Sequence, residues 1–392
     1  MPKFNDLSRS LVAFEQDSTL VTVIEMGSES WLVGGLVPGL LREPRMKLAP
    51  EPLTLLKLLY RWRDEAAKAG HAIERICVAY EAGRDGVWLA RWLRERGIDA
   101  HVIHPTSIPV SREHRRAKSD RLDLGMLQRG FLGWLRGERK HCSMVAIATR
   151  EEEDGKRPLR ERESLTADTT RLINRMKSLL AVQGIGNFNV KLKKAGEKLL
   201  ELKTAAGEAL PPEALAELQR TFERLRLVKQ QIDEIDKAQR RRLEEAPQAG
   251  LNPMILILAR VFGVGRMTAE SLVREVLYRN LRDRRAVARY AGLTGSPDES
   301  GKRRREQGLA KAGNGRVRRM LIQLAWRLLK HQPESALVKW YRARTADGRG
   351  DTRKVMIVAL ARKLLVAFWE LVTTGTVAGG HEASSGSSRR LS

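Results

Sequence analysis

Short β-branched runs alternate with helical repeats along the first third of the chain. Two such runs, at 20–24 and 31–37, are separated by Gly27 and predict a hairpin of strands. The pattern then predicts, in order, a helix over 52–70, a strand over 73–80, a helix over 86–97 and a strand over 100–103. Strands that alternate with helices in this way predict an α/β domain with a mixed sheet, ending near residue 150.

A longer helical region follows the acidic run at 151–154. Apolar residues recur through 172–184. Four more follow near heptad spacing, Leu215, Leu218, Phe222 and Leu225. The apolar stripe is narrow and its neighbours are charged, which favours a helical hairpin or a coiled coil, a common dimerisation module, over a globular core. A long solvated helix packed on its own chain is the alternative for this region.

The composition changes again at residue 251. An apolar run over 251–262 is followed by two glycines, and a helix is predicted over 268–277. The end of the chain is rich in Gly and Ser, which predicts disorder. The fold class is therefore multidomain, α/β plus α, with a mainly helical C-terminal domain. The predicted domains are, in order, 1–150, 151–250, 251–374 and the tail 375–392.

Lysine and arginine outnumber aspartate and glutamate along the whole chain. The 72 basic and 47 acidic residues leave a net charge of +25. Such a surface attracts a polyanion, because each neutralised phosphate releases counterions. The basic clusters are spread over the chain rather than along one amphipathic helix, which favours nucleic acid over a membrane surface as the partner.

Two further features bear on the compartment. Residues 1–16 lack an apolar core of signal-peptide length, so no targeting signal is expected. Charged residues interrupt the apolar run at 355–372, so no membrane span is expected. The two cysteines, Cys77 and Cys142, have no paired spacing, which argues against a disulfide framework and a cysteine-based zinc site. These features predict a reduced, intracellular protein.

Three segments of the first domain carry carboxylates where an RNase H-like sheet would gather them. Glu25 follows the first strand and Glu81 follows a later one, while Asp120 and Asp123 share one face of a predicted helix. Hard carboxylate oxygens suit Mg²⁺, so we expect these four residues to hold one or two ions and to be catalytic. Alternatively, both aspartates form ordinary surface salt bridges with nearby basic residues, which are also candidates for nucleic-acid binding: Arg115, Arg116, Lys118 and Arg121.

Two glycines of the third domain could position a phosphate. Gly263 and Gly265 precede a helix, as in helix-hairpin-helix DNA binders, where backbone N–H groups at a helix N-terminus hold a phosphate. A tight helix-to-helix turn would need the same glycines. The pattern leaves both interpretations open.

The segment 296–305 predicts a polar, flexible loop. Its Ser300 could attack phosphorus amid positive charge, and a basic binding loop with an incidental serine is the alternative. The residues of this region expected to contact phosphate are Lys302, Arg303, Arg304, Arg305, Lys311, Asn314, Arg316, Arg318 and Arg319.

Eight short motifs, taken in order, resemble the DEDD transposases of the insertion sequence one-hundred-and-ten family. They are Tyr80-Glu81-Ala82-Gly83, His104-Pro105, Lys118-Ser119-Asp120-Arg121-Leu122-Asp123, Gly263-Val264-Gly265, Tyr290-Ala291-Gly292-Leu293, Ser300-Gly301, Lys311-Ala312-Gly313-Asn314 and Arg318-Arg319. The resemblance covers about residues 20–340, and the order and spacing of the motifs make it far more specific than any one of them.

The resemblance implies an N-terminal RuvC-like domain, a coiled-coil insertion and a C-terminal transposase domain with a catalytic serine. Carried over by position, Glu81 is the second acid of the carboxylate set, Asp120 and Asp123 are the third and fourth, and Ser300 is the nucleophile. The family pattern further implies Mg²⁺ at the carboxylates, a covalent phosphoserine link to DNA, and a bridge RNA that pairs with donor and target DNA. The expected protein is a homo-oligomer, a dimer or a tetramer, in the cytoplasm at the bacterial nucleoid.

Two departures from the family pattern leave other functions open. The first acid is usually Asp, whereas this chain has Glu25, and only one serine directly precedes Gly301, so Ser296 is a reserve nucleophile. A RuvC-like, metal-dependent junction resolvase or nuclease that cuts by hydrolysis is one rival. A nucleic-acid-binding protein that has kept the fold and lost the chemistry is the other.

Overall fold

The computed structural model of the chain describes most of its residues. The described ranges are 7–83, 86–108, 120–139, 141–190, 192, 194–300, 303–309 and 313–375, with the backbone alone described at 106, 120, 121, 296–300 and 303–307. The chain divides into two compact units. The first holds the chain up to Arg150 with Asn280–Arg282, and the second holds Glu151–Arg279 and the chain from Asp283 onward.

The first unit is built on a five-stranded sheet with the strand order β3-β2-β1-β4-β5. Its elements are β1 Thr19–Met26, β2 Trp31–Leu36, β3 Arg45–Leu48, α1 Pro52–Lys68, β4 Arg75–Glu81, α2 Trp88–Arg94, β5 Asp99–Ile103, a 3₁₀ turn Pro105–Ser107 and α3 Asp120–Leu135. Strand β1 pairs antiparallel with β2 and parallel with β4, and β4 pairs parallel with β5. The predicted hairpin and the predicted mixed α/β sheet are confirmed.

Alternate residues of the central strands enter two separate cores, one on each face of the sheet. On one face Leu20 and Ile24 pack with Trp62 of α1. On the other face Val21 and Val23 pack with side chains of α3, including Leu124 and Leu127. The period of two along each strand therefore decides which residues face α3.

Two adjacent glycines in β2 bring helices close to both faces of the sheet. A Cβ atom at Gly34 would lie 2.8 Å from the side chain of Leu124 in α3. A Cβ atom at Gly35 would lie 2.6 Å from the ring of Trp62 in α1, which is fully buried. At these positions only glycine leaves room for the side chains that cover the strand.

The second unit is mainly helical. Its elements are α4 Arg150–Asp154, which begins at the last residue of the first unit, α5 Arg157–Val182, α6 Ala195–Leu200, α7 Pro212–Glu245, α8 Asn252–Ala259, α9 Arg266–Leu272, a π-helical turn Val273–Leu277, α10 Arg284–Tyr290, β6 Gly295–Ser300, β7 Arg303–Leu309, α11 Gly315–His331, α12 Ala336–Arg344 and α13 Gly350–Thr374. Within the described ranges, no helix is both long enough and apolar enough to cross a membrane.

Helices α5 and α7 form an antiparallel hairpin. Arg162 near the start of α5 pairs with Asp236 near the end of α7, and Arg175 late in α5 pairs with Glu217 early in α7. The buried residues between them are Ile173, Met176 and Leu180 of α5, Leu218 and Leu225 of α7, and Val190, Leu199 and Leu210 of the connecting segment. The apolar stripe of α7 is thus buried against this chain's own residues.

One expectation about the second unit is wrong. The segment 296–305 was expected to be a flexible loop, but β6 and β7 pair antiparallel, with Pro297 opposite Glu306 and Ser300 opposite Arg303. Proline, aspartate and serine have low strand propensity, so the local sequence does not predict the strand. The backbone pairing between the two strands organises residues 295–300 and 303–309 instead.

Candidate functional site

Glu25 and Glu81 lie at the same level of the sheet, on neighbouring parallel strands. The register of β1 and β4 pairs Ile24 with Tyr80, and the two glutamates are the next residue on each strand. Ile24 and Tyr80 enter the core on the α1 face, so alternation turns both glutamates to the α3 face. The carboxyl ends of parallel strands meet at one edge, which is why these acids come together.

Asp123 joins them from α3. The next residue, Leu124, is fully buried against this face of the sheet, and Leu127 is anchored there one turn later. The three carboxylates line one open cavity of about 650 Å³. The other residues that line it are Met26, Ser28, Tyr80, Ala82, Gly83, Gly86, Pro105, Ile108, Met126 and Leu127.

The chemistry of this donor set fits a divalent metal ion such as Mg²⁺, which prefers carboxylate oxygens and retains several waters. Asp120 begins α3 three residues before Asp123 and so shares its helical face, although its side chain lies outside the described set. Among the described side chains, no three His, Cys, Asp or Glu residues are close enough together to hold a metal ion. Glu25, Glu81 and Asp123 thus line one cavity without forming a ready-made metal site. Metal ligation by the four acids stays a prediction.

His104 ends the strand-to-turn connection beside the same cavity. Burial of this half-buried imidazole lowers its pKa, which favours its neutral form. The next residue, Pro105, and Ile108 line the cavity wall. Pro105 of the His104-Pro105 motif thus lines the same cavity as the carboxylates. The predicted nucleic-acid contacts Arg115, Arg116 and Lys118 lie outside the described residues, and for Arg121 only the backbone is described.

The serine candidates belong to the β6–β7 hairpin of the second unit. Ser300 is the last residue of β6 and lies opposite Arg303, while Ser296 lies where the register of β6 is irregular, between Gly295 and Pro297. Arg304 and Arg305 continue β7 opposite Glu299 and Asp298. For residues 296–300 and 303–307 the structure gives the backbone positions alone, and Lys302 lies outside the described residues.

Comparison with known proteins identifies the family. The family model described as "Transposase IS116/IS110/IS902 family" matches residues 256–339. A protein of Sinorhizobium fredii (strain NBRC 101917 / NGR234), described as "Putative transposase y4rJ", is 39% identical over 369 residues, which is 91% of this chain and 92% of the relative. The chain belongs to the IS116/IS110/IS902 family of transposases. This transposase is a DNA-processing enzyme, and DNA is its partner.

Gly313 in the transposase occupies a position that only glycine fits. Its φ is +91°, and a Cβ atom would lie 2.6 Å from the backbone nitrogen of Gly292 and 2.8 Å from the carbonyl oxygens of Arg289 and Tyr290. Both the left-handed backbone and the crowding exclude a side chain. The glycine of the Lys311-Ala312-Gly313-Asn314 motif therefore lets the chain pass close to the end of α10, although Lys311 itself lies outside the described residues.

Asn314, predicted to contact nucleic acid, has a structural role in the transposase. Its side-chain oxygen accepts hydrogen bonds from the backbone N–H groups of Arg316 and Val317, at 3.1 and 3.2 Å, so it is the N-cap of α11. Its amide nitrogen donates to Glu275 over 3.2 Å. The asparagine thus fixes where α11 starts.

Glu275 was missed by the sequence analysis. It lies in the π-helical turn with a side chain only 6% exposed, and it accepts hydrogen bonds of 3.1 and 3.4 Å from Arg160. Burial alone would raise the pKa of Glu275, but the hydrogen bonds from Arg160 and Asn314 and the charge of Lys156 hold that pKa below its ordinary value. The sequence does contain a signal for this role, because Glu275 is a carboxylate inside an apolar helical repeat. Such a carboxylate needs polar partners if it is buried.

The remaining predicted nucleic-acid contacts of the transposase have varied positions. Gly263 has a φ of +86° in the turn between α8 and α9, and Gly265 is the N-cap of α9. Arg318 donates a long hydrogen bond of 3.4 Å to the carbonyl of Gly292. Arg316 and Arg319 both form ion pairs with one glutamate of α5. Nothing in these positions tests nucleic-acid binding, which stays a prediction for each of them.

Proposed function

We propose that this transposase is an RNA-guided recombinase that cuts and rejoins DNA with Mg²⁺ and a serine nucleophile. The observation that carries the proposal is the cavity lined by Glu25, Glu81 and Asp123 at the carboxyl ends of β1 and β4. Carboxylates gathered in an open cavity suit a phosphodiester only if a cation offsets their charge, as in metal-dependent nucleases and polymerases. The first unit is then a RuvC-like domain.

The carboxylates are proposed to work as one metal-binding set. Glu25, Glu81, Asp120 and Asp123 would hold one or two Mg²⁺ ions. Bound Mg²⁺ would polarise the scissile phosphate and offset its negative charge. The protein's own contribution is positional, because the strand register fixes the two glutamates and the buried Leu124 fixes Asp123 next to it.

Ser300 is the proposed nucleophile. Its hydroxyl oxygen would form a bond to phosphorus while the bond from phosphorus to the leaving sugar oxygen breaks, and the hydroxyl proton passes to that oxygen. The products are a phosphoserine ester and a free sugar hydroxyl. Attack by the hydroxyl of another DNA end reverses the step and rejoins strands without hydrolysis. Arg303 and Arg304, which follow in β7, would offset the charge on the reacting phosphate.

A bridge RNA is proposed as the second nucleic-acid partner. The net charge of +25 supports a complex that contains more than one polyanion. If the RNA reads donor and target DNA by base pairing, the protein needs to bind only backbone and duplex shape. We place this complex at the bacterial nucleoid as a dimer or a tetramer.

A hydrolytic nuclease is the second candidate function. The specific observation in its favour is that the three described carboxylates of the cavity all come from the first unit, so metal-assisted hydrolysis there needs no serine. In that case Ser300 would only contact phosphate. The two functions differ in their products: the recombinase leaves a protein–DNA adduct, whereas the nuclease leaves free ends.

The deciding experiment incubates the full-length protein with RNA transcribed from its flanking DNA, matched donor and target DNA, and Mg²⁺. Denaturing gels then report cleavage and covalent protein–DNA adducts for the wild type, Ser300→Ala, Ser296→Ala and Asp123→Asn. We expect adducts in the wild type and in Ser296→Ala, none in Ser300→Ala, and neither adduct nor cleavage in Asp123→Asn.

Each other outcome has a defined meaning. Cleavage that persists without any adduct in the wild type would replace the proposal with the hydrolytic nuclease. Adducts that survive in Ser300→Ala and vanish in Ser296→Ala would transfer the nucleophile to Ser296. Omission of the RNA tests guidance separately, because an unguided enzyme would recombine the same DNA without it. No cleavage under any condition would contradict both enzymatic functions.

A further inference from the structure

A second cavity, of about 320 Å³, lies wholly within the second unit of the transposase. It is bordered by α5, α9, the π-helical turn and α11. Its charged lining residues are Arg162, Glu163, Glu275, Arg316 and Arg319. Thr166, Thr268, Ser271 and Gln323 add polar groups, and Leu159, Met267 and Met320 supply an apolar part of the lining. Among the charged lining residues, guanidinium groups outnumber carboxylates by three to two.

A single carboxylate bridges two of the three guanidinium groups. Oε2 of Glu163 lies 3.0 Å from Nε of Arg316, and Oε1 lies 3.1 Å from Nη2 of Arg319. One anion with two oxygens thus holds two cations. The two non-bridging oxygens of a phosphodiester can form the same pair of contacts.

Arg316 also has a hydrogen-bond donor that lacks an acceptor. Its Nη1 is buried and has no hydrogen-bond partner, although Nε of the same group is paired with Glu163. A buried charged donor without an acceptor is unfavourable, so such a group points to an absent ligand. A phosphate that displaces Glu163 carries more acceptor oxygens than a carboxylate. After it pairs with Nε of Arg316 and with Arg319, it would therefore still have an oxygen to offer this guanidinium group.

The position of these arginines on α11 is unfavourable unless an anion binds. Arg316 is the second residue of α11 and Arg319 the fifth, and the first turn contains no acidic residue. Cations near a helix N-terminus face the positive end of the helix dipole, whereas an anion there is stabilised. Glu163 of α5 provides that anion in the free protein.

The other charged groups of the cavity are already engaged. Arg162 pairs with Asp236 through hydrogen bonds of 2.5 and 3.0 Å. Glu275 accepts from Arg160 and from Asn314. Glu163 is 45% exposed and its ion pairs are with the two arginines alone among the contacts of the described residues, so it is the carboxylate that can swing away.

We propose that this cavity binds a phosphate group of a nucleic-acid strand, and that Glu163 occupies the place of that phosphate until the strand arrives. The inference rests on the proposed function only in that the ligand is a nucleic acid. Glu163 then acts as an internal competitor: it keeps Arg316 and Arg319 ordered in the free protein and weakens binding of strands that cannot displace it.

The test measures binding of full-length protein to a fluorescein-labelled single-stranded DNA of roughly 12 nucleotides by fluorescence anisotropy. The variants are Glu163→Gln and Glu161→Gln. Glu161 is an exposed residue of the same helix that does not line the cavity, so its variant makes the same change in net charge. We expect Glu163→Gln to bind roughly two- to fivefold more tightly than Glu161→Gln, the range of one exposed ion pair.

A salt titration supplies the second arm. Arg319→Gln should weaken binding and reduce the slope of log affinity against log salt by about 0.7, the value for one phosphate contact on a single strand. In the Arg319→Gln background, Glu163→Gln should give a smaller gain than in the wild type, because the two side chains act at one site.

Equal affinities of Glu163→Gln and Glu161→Gln, or an unchanged salt slope in Arg319→Gln, would overturn the proposal. Thermal unfolding of each variant checks that it folds. If Glu163→Gln melts far below the wild type, Glu163→Asp and Glu161→Asp replace the pair, because the shorter side chain keeps its charge and draws back from the guanidinium groups. These experiments measure DNA binding and not recombination. If the carboxylate or serine assignments are wrong, the conclusion about Glu163 and the two arginines is therefore unaffected.

Discussion

Asn314 donates its side-chain amide to Oε2 of Glu275 over 3.2 Å, and the same asparagine caps α11. One side chain therefore connects the start of a helix to a buried carboxylate in the π-helical turn. The sequence predicts a nucleic-acid contact at Asn314 and assigns no role to Glu275. Their link makes this part of the second unit testable by stability measurements.

Replacement of Asn314 should separate its two roles. Asn314→Ala removes the cap and one partner of a buried carboxylate, so we expect the free energy of unfolding to fall by about 2–3 kcal/mol. Asn314→Ser keeps a capping oxygen, but its shorter side chain cannot reach Glu275. Its free energy of unfolding should therefore lie between those of Asn314→Ala and the wild type. Thermal and denaturant unfolding measure both. Equal stability of all three proteins would show that the cap and the contact contribute nothing.

Glu275 should make stability depend on pH in a defined direction. Its pKa in the folded protein lies below the ordinary value of 4.5, so its charged form stabilises the fold above about that pH and the contribution is lost as the pH falls through the folded pKa. Glu275→Gln should therefore be less stable than the wild type at neutral pH by about 1–3 kcal/mol. Unfolding curves recorded from about pH 7 to about pH 3 should show that the difference in stability between the wild type and Glu275→Gln becomes smaller as the pH falls. A gap that widens on acidification would contradict this assignment.

Two leucines of α7 should respond very differently to truncation. Leu225 is fully buried between α5 and α7, so Leu225→Ala should destabilise the second unit by about 2–5 kcal/mol. Leu227, on the same helix, is 54% exposed. Leu227→Ala should therefore change the free energy of unfolding by no more than about 0.5 kcal/mol. Denaturant unfolding at two protein concentrations measures both. A large, concentration-dependent effect of Leu227→Ala would instead indicate that this exposed face lies in an oligomer contact.

Two motif glycines should also differ. Gly313→Ala forces a Cβ atom into backbone at 2.6 Å, with a φ of +91°, so we expect loss of several kcal/mol or failure to fold. Gly265 has open space around it and an ordinary φ of −73°, so Gly265→Ala should cost about 1 kcal/mol or less. Thermal unfolding compares them. Similar losses in the two variants would refute the role given to backbone crowding at Gly313.

Substitution at Glu25 tests whether this glutamate serves as the first acid of the proposed carboxylate set. Under the proposed mechanism, Glu25→Gln should slow Mg²⁺-dependent DNA cleavage by roughly 100-fold or more, whereas Glu25→Asp keeps the charge and should retain most of the rate. Glu29→Gln is the matched control, since Glu29 is exposed in the next turn and does not line the cavity. The assignment fails if Glu25→Gln and Glu29→Gln cleave DNA equally fast.

The elements with strong periodicity could be predicted from the sequence. The helix expected over 52–70 is α1, Pro52–Lys68, and the strand expected over 73–80 is β4, Arg75–Glu81. Both carry apolar residues at the spacing of the core they enter. The sequence also predicts that an RNase H-like sheet gathers Glu25 and Glu81. The structure places both with Asp123 at one cavity, because the neighbouring parallel strands β1 and β4 end at the same edge of the sheet.

The elements that depend on distant partners could not be predicted. Strand β3, Arg45–Leu48, is mainly exposed and carries no alternating pattern, so it is defined only by its pairing with β2. Strands β6 and β7 have turn-like composition and are likewise defined by each other. Glu275 looked like a polar residue of an ordinary helix, and its burial becomes apparent only when Arg160 and Asn314, distant in sequence, are in place.

The glycine pair in β2 limits how the first unit can change. Because Gly34 and Gly35 hold no side chains, Leu124 and Trp62 rest directly on the strand from opposite sides. The two cores of the unit therefore contact the same short stretch of β2 from opposite faces. A bulkier residue at either glycine would push the helix on that face outward. Leu124 directly follows Asp123, so a displacement that begins at Gly34 would reach the carboxylate cavity through a single peptide unit. Under the proposed mechanism, substitutions in the middle of β2 are thus expected to alter catalysis, although neither glycine lines the carboxylate cavity.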